Sequence, residues 1–444
     1  MSFSAAFLNA ALESSVPGDA CGLVVALSGG ADSAALLAAA AGQRFRSLPL
    51  RAVHIDHGLQ AAAAEFRDAC GSLCEHLGVP LCIIRVAVQN DAGASLEAAA
   101  RDARYTALAA ELGPRECLLT AHHREDQAET LLLQALRGAG VKGMSAMPIC
   151  RELGAGWHVR PLLDVPRAEL LEFGEHLEDF RSADPMNDDL RFDRSYLRKV
   201  IWPLIERRWQ GAGIALSRTA RHMAEAQEML DLAAAHDVAR LRDGDALSVP
   251  GLRALPQPSR MNAVRLWLSE AGVEAPSTAR LGEALRQVFD AHEDHQPSIA
   301  WGKNALRRYR QRLFLTDADS PRLEEAMPWA AALGSSIALG TSLGKLVWGE
   351  QIGGISPKAL PPVVTVRRRV GGESLKPARS AKTQTVQHLC QSHGVLPWMR
   401  DALPLVFAGE QLIAVADLWL DARFCLPNGV PGLGIAWNNA PVMT

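Results

Sequence analysis

The sequence predicts an α/β protein: a doubly wound parallel sheet, then a mainly helical middle domain, then a small mixed α/β domain. Three observations carry this reading. Short apolar runs alternate with helical stretches four times before residue 140. Long segments with apolar residues near helical spacing follow from about residue 214. Pro362–Thr444 then mixes both kinds of element.

Leu23–Leu27 is a short apolar run bounded by Gly22 and by Ser28-Gly29-Gly30, as in a buried parallel strand. Ser33–Ala41 follows as an Ala/Leu helix. Leu50–Ile55 and Leu81–Val88 read as the second and third strands, with Ala61–Leu77 as the helix between them. Ser95–Leu112 is a third helix with Ser95 as its N-cap, Cys117–Thr120 a fourth strand, and Asp126–Leu136 a fourth helix. Such sheets bind ligands beyond the carboxyl ends of their strands. Farther along, Ile214–Leu241, Ser259–Ala271 and Ser277–Ala291 read as helices, and Ala305–Leu315 as a strand or hairpin. Asp317–Pro362 is rich in Gly, Ser and Pro and reads as irregular. The expected domains are therefore 1–212, 213–318 and 362–444, with 319–361 as a linker.

The net charge of −3 over 444 residues gives no overall nucleic-acid signature. None of the eight cysteines forms a Cys-x-x-Cys pair, so they read as reduced thiols. Cys70 and Cys74 lie one helical turn apart; without a second pair they read as helix packing rather than a metal site. Neither a signal peptide nor an apolar run near the ~18 residues of a membrane span is evident, so a cytoplasmic location is expected, with no membrane partner.

Residues Ser28-Gly29-Gly30-Ala31-Asp32-Ser33 join the first strand to its helix. A glycine-rich turn at a helix N-terminus gathers backbone N–H groups and positive potential around one point, which suits phosphate. Ser28 and Ser33 add hydroxyls. Asp32 would repel a bare phosphate, so its presence suggests a bridging Mg²⁺. The stretch Gly340–Leu346 resembles a common P-loop but has too few residues between its glycines and no Ser/Thr after Lys345.

Residues 28–33 match the signature of the PP-loop, or N-type, ATP pyrophosphatases. Further segments narrow the resemblance: Val53–Leu59, with His54, Asp56 and His57; Ala100–Tyr105, with Arg104; Thr120–Thr130, with His122, His123, Asp126 and Glu129; Arg367–Glu373; Gly394–Arg400; and Leu403–Leu405. Together they closely resemble the tRNA(Ile)-lysidine synthetases, most weakly between about 215 and 360. That resemblance implies ATP-dependent ligation of L-lysine to C2 of the wobble cytidine in the CAU anticodon of a minor tRNA(Ile). The cytosine O2 would attack the α-phosphate and expel pyrophosphate; the lysine ε-amine would then attack C2 and expel AMP. It also suggests a homodimer.

Residue chemistry suits that reaction. Asp32 with the loop would assist pyrophosphate departure. Arg104 would neutralise charge at the α-phosphate, or serve as a solvated helix arginine. Asp126 and Glu129, three apart on one helix face, suit a cationic amine or form an exposed acidic surface. His122 or His123 would accept the amine proton, His123 being the residue selected. His54, Asp56 and His57 would border the adenosine or form a strand-end turn.

From Arg367 to Arg400 lie seven basic residues (Arg367, Arg368, Arg369, Lys376, Arg379, Lys382 and Arg400) and one acid, Glu373. Such a concentration suits RNA phosphates. Arg307, Arg308, Arg310 and Arg312 form a second, weaker candidate. Asp184–Asp188 precedes Arg194-Ser195-Tyr196-Leu197-Arg198, where the resembled pattern has asparagine in place of Ser195. Arg194 and Arg198 would share a helix face toward tRNA. The rival readings are a PP-loop tRNA thiolase, which commonly uses paired cysteines, and a non-catalytic ATP-responsive tRNA-binding protein.

Overall fold

The structure is a computed structural model that describes residues 2–441 except 44, 57–62, 87–95, 181–188, 293–296, 320, 324, 341, 379 and 381. His57, Ser95, Arg379 and the segment 184–188 therefore lie outside the described residues. The chain forms two compact units, Met1–Leu230 and Asp231–Thr444.

The first unit begins with helix α1 (Ala5–Ser15), whose N-cap Ser4 accepts a hydrogen bond from the Phe7 N–H. Strand and helix then alternate as β1 (Gly22–Ala26), α2 (Ala31–Gly42), β2 (Leu50–Asp56), α3 (Ala63–Leu77), β3 (Leu81–Arg85), α4 (Leu96–Glu111), β4 (Glu116–Leu119) and α5 (Arg124–Leu136). Next come α6 (Val141–Met144), the hairpin β5 (Cys150–Leu153) and β6 (Gly156–Val159), and α7 (Arg167–Phe173). Helices α8 (Asp193–Tyr196) and α9 (Trp202–Arg208) flank a π-helical turn, Leu197–Ile201, before the long α10 (Ala212–Leu241).

The sheet order is β3-β2-β1-β4-β6-β5, parallel except for the edge strand β5. Because β1 lies between β2 and β4, successive crossovers leave it in opposite directions. That places a ligand crevice beyond the carboxyl ends of β1 and β4. Burial on both faces explains the continuous apolar run in β1. Leu23 and Val25 join α2 and the α3 residues Cys70, Leu73 and Cys74 in one core layer. Val24 joins Leu108 of α4 and Leu112 just beyond it in the other. The β5–β6 hairpin, α1 and α7 were not anticipated from the sequence.

In the second unit the expected helices are Gln257–Glu270 and Thr278–Asp290. The hairpin is Asn304–Tyr309 with Arg312–Asp317, turning at Arg310, whose φ is 53°. A five-stranded sheet accompanies these helices. The linker expectation for 319–361 is corrected. Met327–Ala330, Ser336–Ala338 and Lys345–Ile352 are strands; the first pairs with Val363–Arg367 and the third with Pro431–Asn438. The Gly content marks turns: Gly340, Gly344 and Gly353 all have positive φ. The apolar residues between or just after those turns, Leu346, Trp348 and Ile355, are core. Among the described residues, no helix is long and apolar enough to cross a membrane.

Candidate functional site

The loop after β1 is shaped by its own side chains. Ser33 Oγ accepts from the Ser28 N–H at 3.2 Å and donates to the Gly30 carbonyl at 3.0 Å. The Ser28 and Ser33 hydroxyls are 3.1 Å apart. Gly29 has φ +85°, and a Cβ there would meet the Phe66 ring at 2.8 Å. Only glycine therefore suits this position. Gly30 caps α2 without a side-chain hydrogen bond, so no N-cap side chain competes with a ligand for the first N–H groups of α2. Asp32 stands in that first turn.

His54 is buried at the end of β2, with Nδ1 2.8 Å from the Leu27 carbonyl. Only an N–H can meet a carbonyl, so Nδ1 carries the proton. Burial holds the ring below the usual histidine range, against the favourable Leu27 bond. His54 thus braces the loop. Asp56, 6% exposed, lies 3.5 Å from Arg67 and 3.7 Å from Arg85. His54 thus turns Nδ1 to the loop, and Asp56 is paired with two arginines. Arg104 is exposed on α4, and its charge acts on His54.

The acidic face of α5 is not open. Arg198 donates from Nε to Glu129 at 2.7 Å, and from Nη2 to Glu129 at 2.8 Å and Asp126 at 3.0 Å. Arg194 Nε is 3.3 Å from Glu129, and its Nη2 donates to Thr130 at 2.9 Å. Burial opposes charge on Arg198, but the bonds to Glu129 and the neighbouring carboxylates outweigh it and raise its pKa. Arg198 occupies the π-helical turn Leu197–Ile201, a distortion often found at functional positions. Arg194 and Arg198, expected to face tRNA, instead neutralise Asp126 and Glu129 here.

His123 is 2% exposed. Its Nδ1 donates to Glu125 at 3.0 Å, and its Nε2 is 3.3 Å from Asp126. Burial works against the imidazolium, but the Glu125 bond and the charges of Asp126 and Asp32 prevail, raising its pKa. Both nitrogens face carboxylates, an arrangement that favours the charged ring and leaves neither nitrogen free to act as an open base. The Asp126 carboxylate also accepts from the His123 N–H at 3.1 Å, closing a capping box.

Arg167 ties these parts together and was missed from the sequence, where no spacing marks it. Its Nε donates to Asp32 at 3.2 Å, and its backbone N–H to Glu125 at 3.0 Å. A continuous polar chain therefore runs Asp32–Arg167–Glu125–His123–Asp126–Arg198–Glu129. A second group, at the ends of β4 and β6, joins His122 to the buried Thr120, His158 and Arg160, the last two unanticipated. Thr120 Oγ1 is 2.8 Å from both His122 Nδ1 and His158 Nε2, and Arg160 Nη2 is 3.1 Å from His158 Nδ1. Burial, with Arg160 close by, pushes His158 down to about 2.

In the second unit, Arg368 and Lys382 are exposed, whereas Arg369 and Lys376 are half-buried. Arg367 stacks on the Phe407 ring at 3.9 Å, and Arg400 donates to the Val395 carbonyl at 3.2 Å. The second arginine cluster is corrected in part: Arg310 stays exposed at the hairpin turn, donating to the Gln391 carbonyl at 3.1 Å, but the other three are taken up by the protein. Arg308 is buried and donates to the Val288 and Ala291 carbonyls; Arg307 is buried and reaches Ala318; Arg312 pairs with Asp243. The alternation of the hairpin turns Arg307 and Arg308 to opposite faces, where backbone carbonyls absorb them. Cys70 and Cys74 are buried, their thiols pushed up to about 12 and about 11 by that burial. Neither supplies a ready thiolate.

A glycine-rich loop between β1 and α2, a carboxylate in the first helical turn and a crevice at the sheet's switch point define a PP-loop fold that uses ATP. Comparison agrees: the PP-loop domain family matches residues 6–205, the TilS substrate binding domain 247–314, and the TilS substrate C-terminal domain 364–437. The chain is 39% identical over 417 residues to the tRNA(Ile)-lysidine synthase of Alkalilimnicola ehrlichii, covering 92% of each chain. With the Coxiella burnetii enzyme of that name it shares 36% identity over 416 residues, covering 93% of this chain and 91% of the relative. With that of Nitrosomonas europaea the figures are 34% over 433 residues, 96% and 93%. The chain belongs to the tRNA(Ile)-lysidine synthase family and is an ATP-dependent ligase.

Proposed function

We propose that this chain joins the ε-amine of L-lysine to C2 of the wobble cytidine in the CAU anticodon of tRNA(Ile), using ATP. Cytosine O2 attacks the α-phosphorus; the bond to the bridging oxygen breaks and pyrophosphate leaves. The amine then adds at C2 and the C2–O2 bond breaks, so AMP departs with O2 and the added nitrogen loses a proton. The observation that supports this most is the polar chain from Asp32 to Glu129, which spans the distance between a phosphate-binding loop and a cation-binding acidic pair.

Asp32 suits a Mg²⁺ bridge. Among the described residues no cluster of three ligands exists, yet Mg²⁺ bound to nucleotides commonly takes one or two carboxylates plus phosphate oxygens and water. When bound, Mg²⁺ would offset charge on the departing pyrophosphate. Arg167 balances Asp32 when nucleotide is absent. The carboxyl oxygens of Glu129 are both taken by Arg198, so the lysine ammonium enters by displacing that guanidinium. Arg368 and Lys382 are the exposed cations we assign to tRNA phosphates.

The test combines purified protein, radiolabelled lysine, ATP with Mg²⁺ and tRNA bearing a CAU anticodon. Label in tRNA(Ile), with AMP and pyrophosphate formed one for one, is expected. Absence of label while ATP and tRNA still bind refutes the assignment. Sulfur incorporation from a persulfide donor would point to a thiolase instead.

A further inference from the structure

The hydrogen-bond chain Arg160–His158–Thr120–His122 has only one consistent direction. A guanidinium donates and never accepts, so Arg160 Nη2, at 3.1 Å, fixes a lone pair on His158 Nδ1. The His158 proton is then on Nε2, and it is donated to Thr120 Oγ1 at 2.8 Å. The hydroxyl hydrogen of Thr120 is left for its other neighbour, His122 Nδ1, also at 2.8 Å. Were the hydroxyl to accept from both rings, its own hydrogen would lack a partner in a residue only 8% exposed. His122 Nδ1 therefore accepts, and its proton is on Nε2. Among the described residues that Nε2 has no protein partner.

We propose that His122 presents a fixed Nε2–H donor to an acceptor atom of the nucleotide substrate, with Arg160, His158 and Thr120 acting as positioning residues that set its tautomer. This rests on the reading of the crevice given above. Thr120 directly follows β4, the strand next to the phosphate loop, so the donor stands at the sheet's switch point. The acceptors available there are phosphate oxygens and the carbonyl or ring nitrogen of a base. The groups that act on His122 oppose its protonation on balance. Burial, Arg160, Arg194 and Arg101 disfavour the imidazolium, Asp126 favours it, and the ring is held down to about 3. A ring so held donates a hydrogen bond without taking up a proton, which removes it from the role of base.

Long-range ¹H–¹⁵N spectra of histidine-labelled protein read the tautomer directly, without substrate. The Nε2–H pattern of His122 is expected from pH 5 to 8, with loss of the single tautomer in Thr120→Val. An Nδ1–H pattern, or titration near the ordinary pKa of ~6.5, overturns the proposal. Kinetics give the second arm, read as pyrophosphate release so that it does not depend on lysine. His122→Ala is expected to lower kcat on the order of a hundredfold, as loss of a preorganised donor does. His122→Gln, which restores an N–H near that position, should recover most of the loss, while KM for ATP stays within threefold. Unchanged kcat in His122→Ala, or a wild-type kcat that rises through pH 6–7 and flattens in that variant, overturns it. If wild-type protein transfers no lysine at all, the functional reading fails while the spectra still decide the donor.

Discussion

Lowering the pH should loosen the catalytic unit well before its carboxylates titrate, because His158 is fully buried and uncharged. Burial, with Arg160 close by, holds its folded pKa at about 2, against an unfolded reference of 6.5. Between those values the unfolded chain binds the extra proton, so stability is intact above pH 6.5 and is lost as pH falls toward 2. At pH 5 the folded ring is still neutral, so the unfolded pKa alone sets the loss. A fall of 1.5 units below 6.5, at 1.36 kcal/mol per unit, gives about 2 kcal/mol. That is roughly thirtyfold in the local opening constant. Hydrogen exchange of peptides covering β4 and β6, read by mass spectrometry, measures this opening in one unit without assuming two-state behaviour for the whole chain. The comparison is His158→Asn, which keeps an acceptor near Nδ1 for Arg160 and cannot titrate. The stability advantage of wild type over the variant should shrink by about 2 kcal/mol from pH 7.5 to pH 5. A change below about 0.5 kcal/mol would show that His158 takes up its proton without unfolding, and would refute the argument.

Glu129→Gln leaves Arg194 and Arg198 facing a neutral amide. Since both arginines keep about a quarter to a third of their side-chain exposure, the cost should be about 2 kcal/mol, below that of a fully buried pair, with KM for lysine raised at least tenfold. A lysine KM within twofold of wild type would remove Glu129 from the amine site. Gly29→Ala places a methyl group against Phe66 and forces a positive φ, so ATP binding measured by calorimetry should weaken at least tenfold; unchanged affinity would show that the loop relaxes freely. The pair Arg368→Glu and Lys382→Glu should lower the slope of log Kd for tRNA against log salt by about 1.5, with ATP affinity unchanged. An unchanged slope would place the phosphate contacts elsewhere.

The sheet was readable because its central strands β1 and β4 are buried on both faces and its motifs sit at strand ends, where local sequence and function coincide. The region 319–361 was misread for a local reason. Its Gly, Ser and Pro residues mark tight turns, while its strands gain their stability from partners as distant as Pro431–Asn438, which no window of sequence reveals. The site followed the same division. The loop 28–33 and the pair Asp126/Glu129 announce themselves by spacing within one element. Arg167, His158 and Arg160 come from elements distant in sequence and carry no spacing signal.

That division changes the chemistry assigned to the adjacent histidines, of which His123 is the base expected from the sequence. His123 caps α5, where Glu125 and Asp126 hold both its nitrogens and favour its charge. His122 sits one residue earlier, in contact with Thr120 and flanked by His158 and Arg160, where charge is opposed. One is held between carboxylates that favour its charged form, and the other is a neutral donor. Neither is the free base that a His-His pair beside two acids suggests. The acceptor of the amine proton is therefore to be sought among the carboxylates that Arg198 uncovers when it moves. Glu129 is the first candidate, since it loses both of its closest hydrogen bonds in that motion.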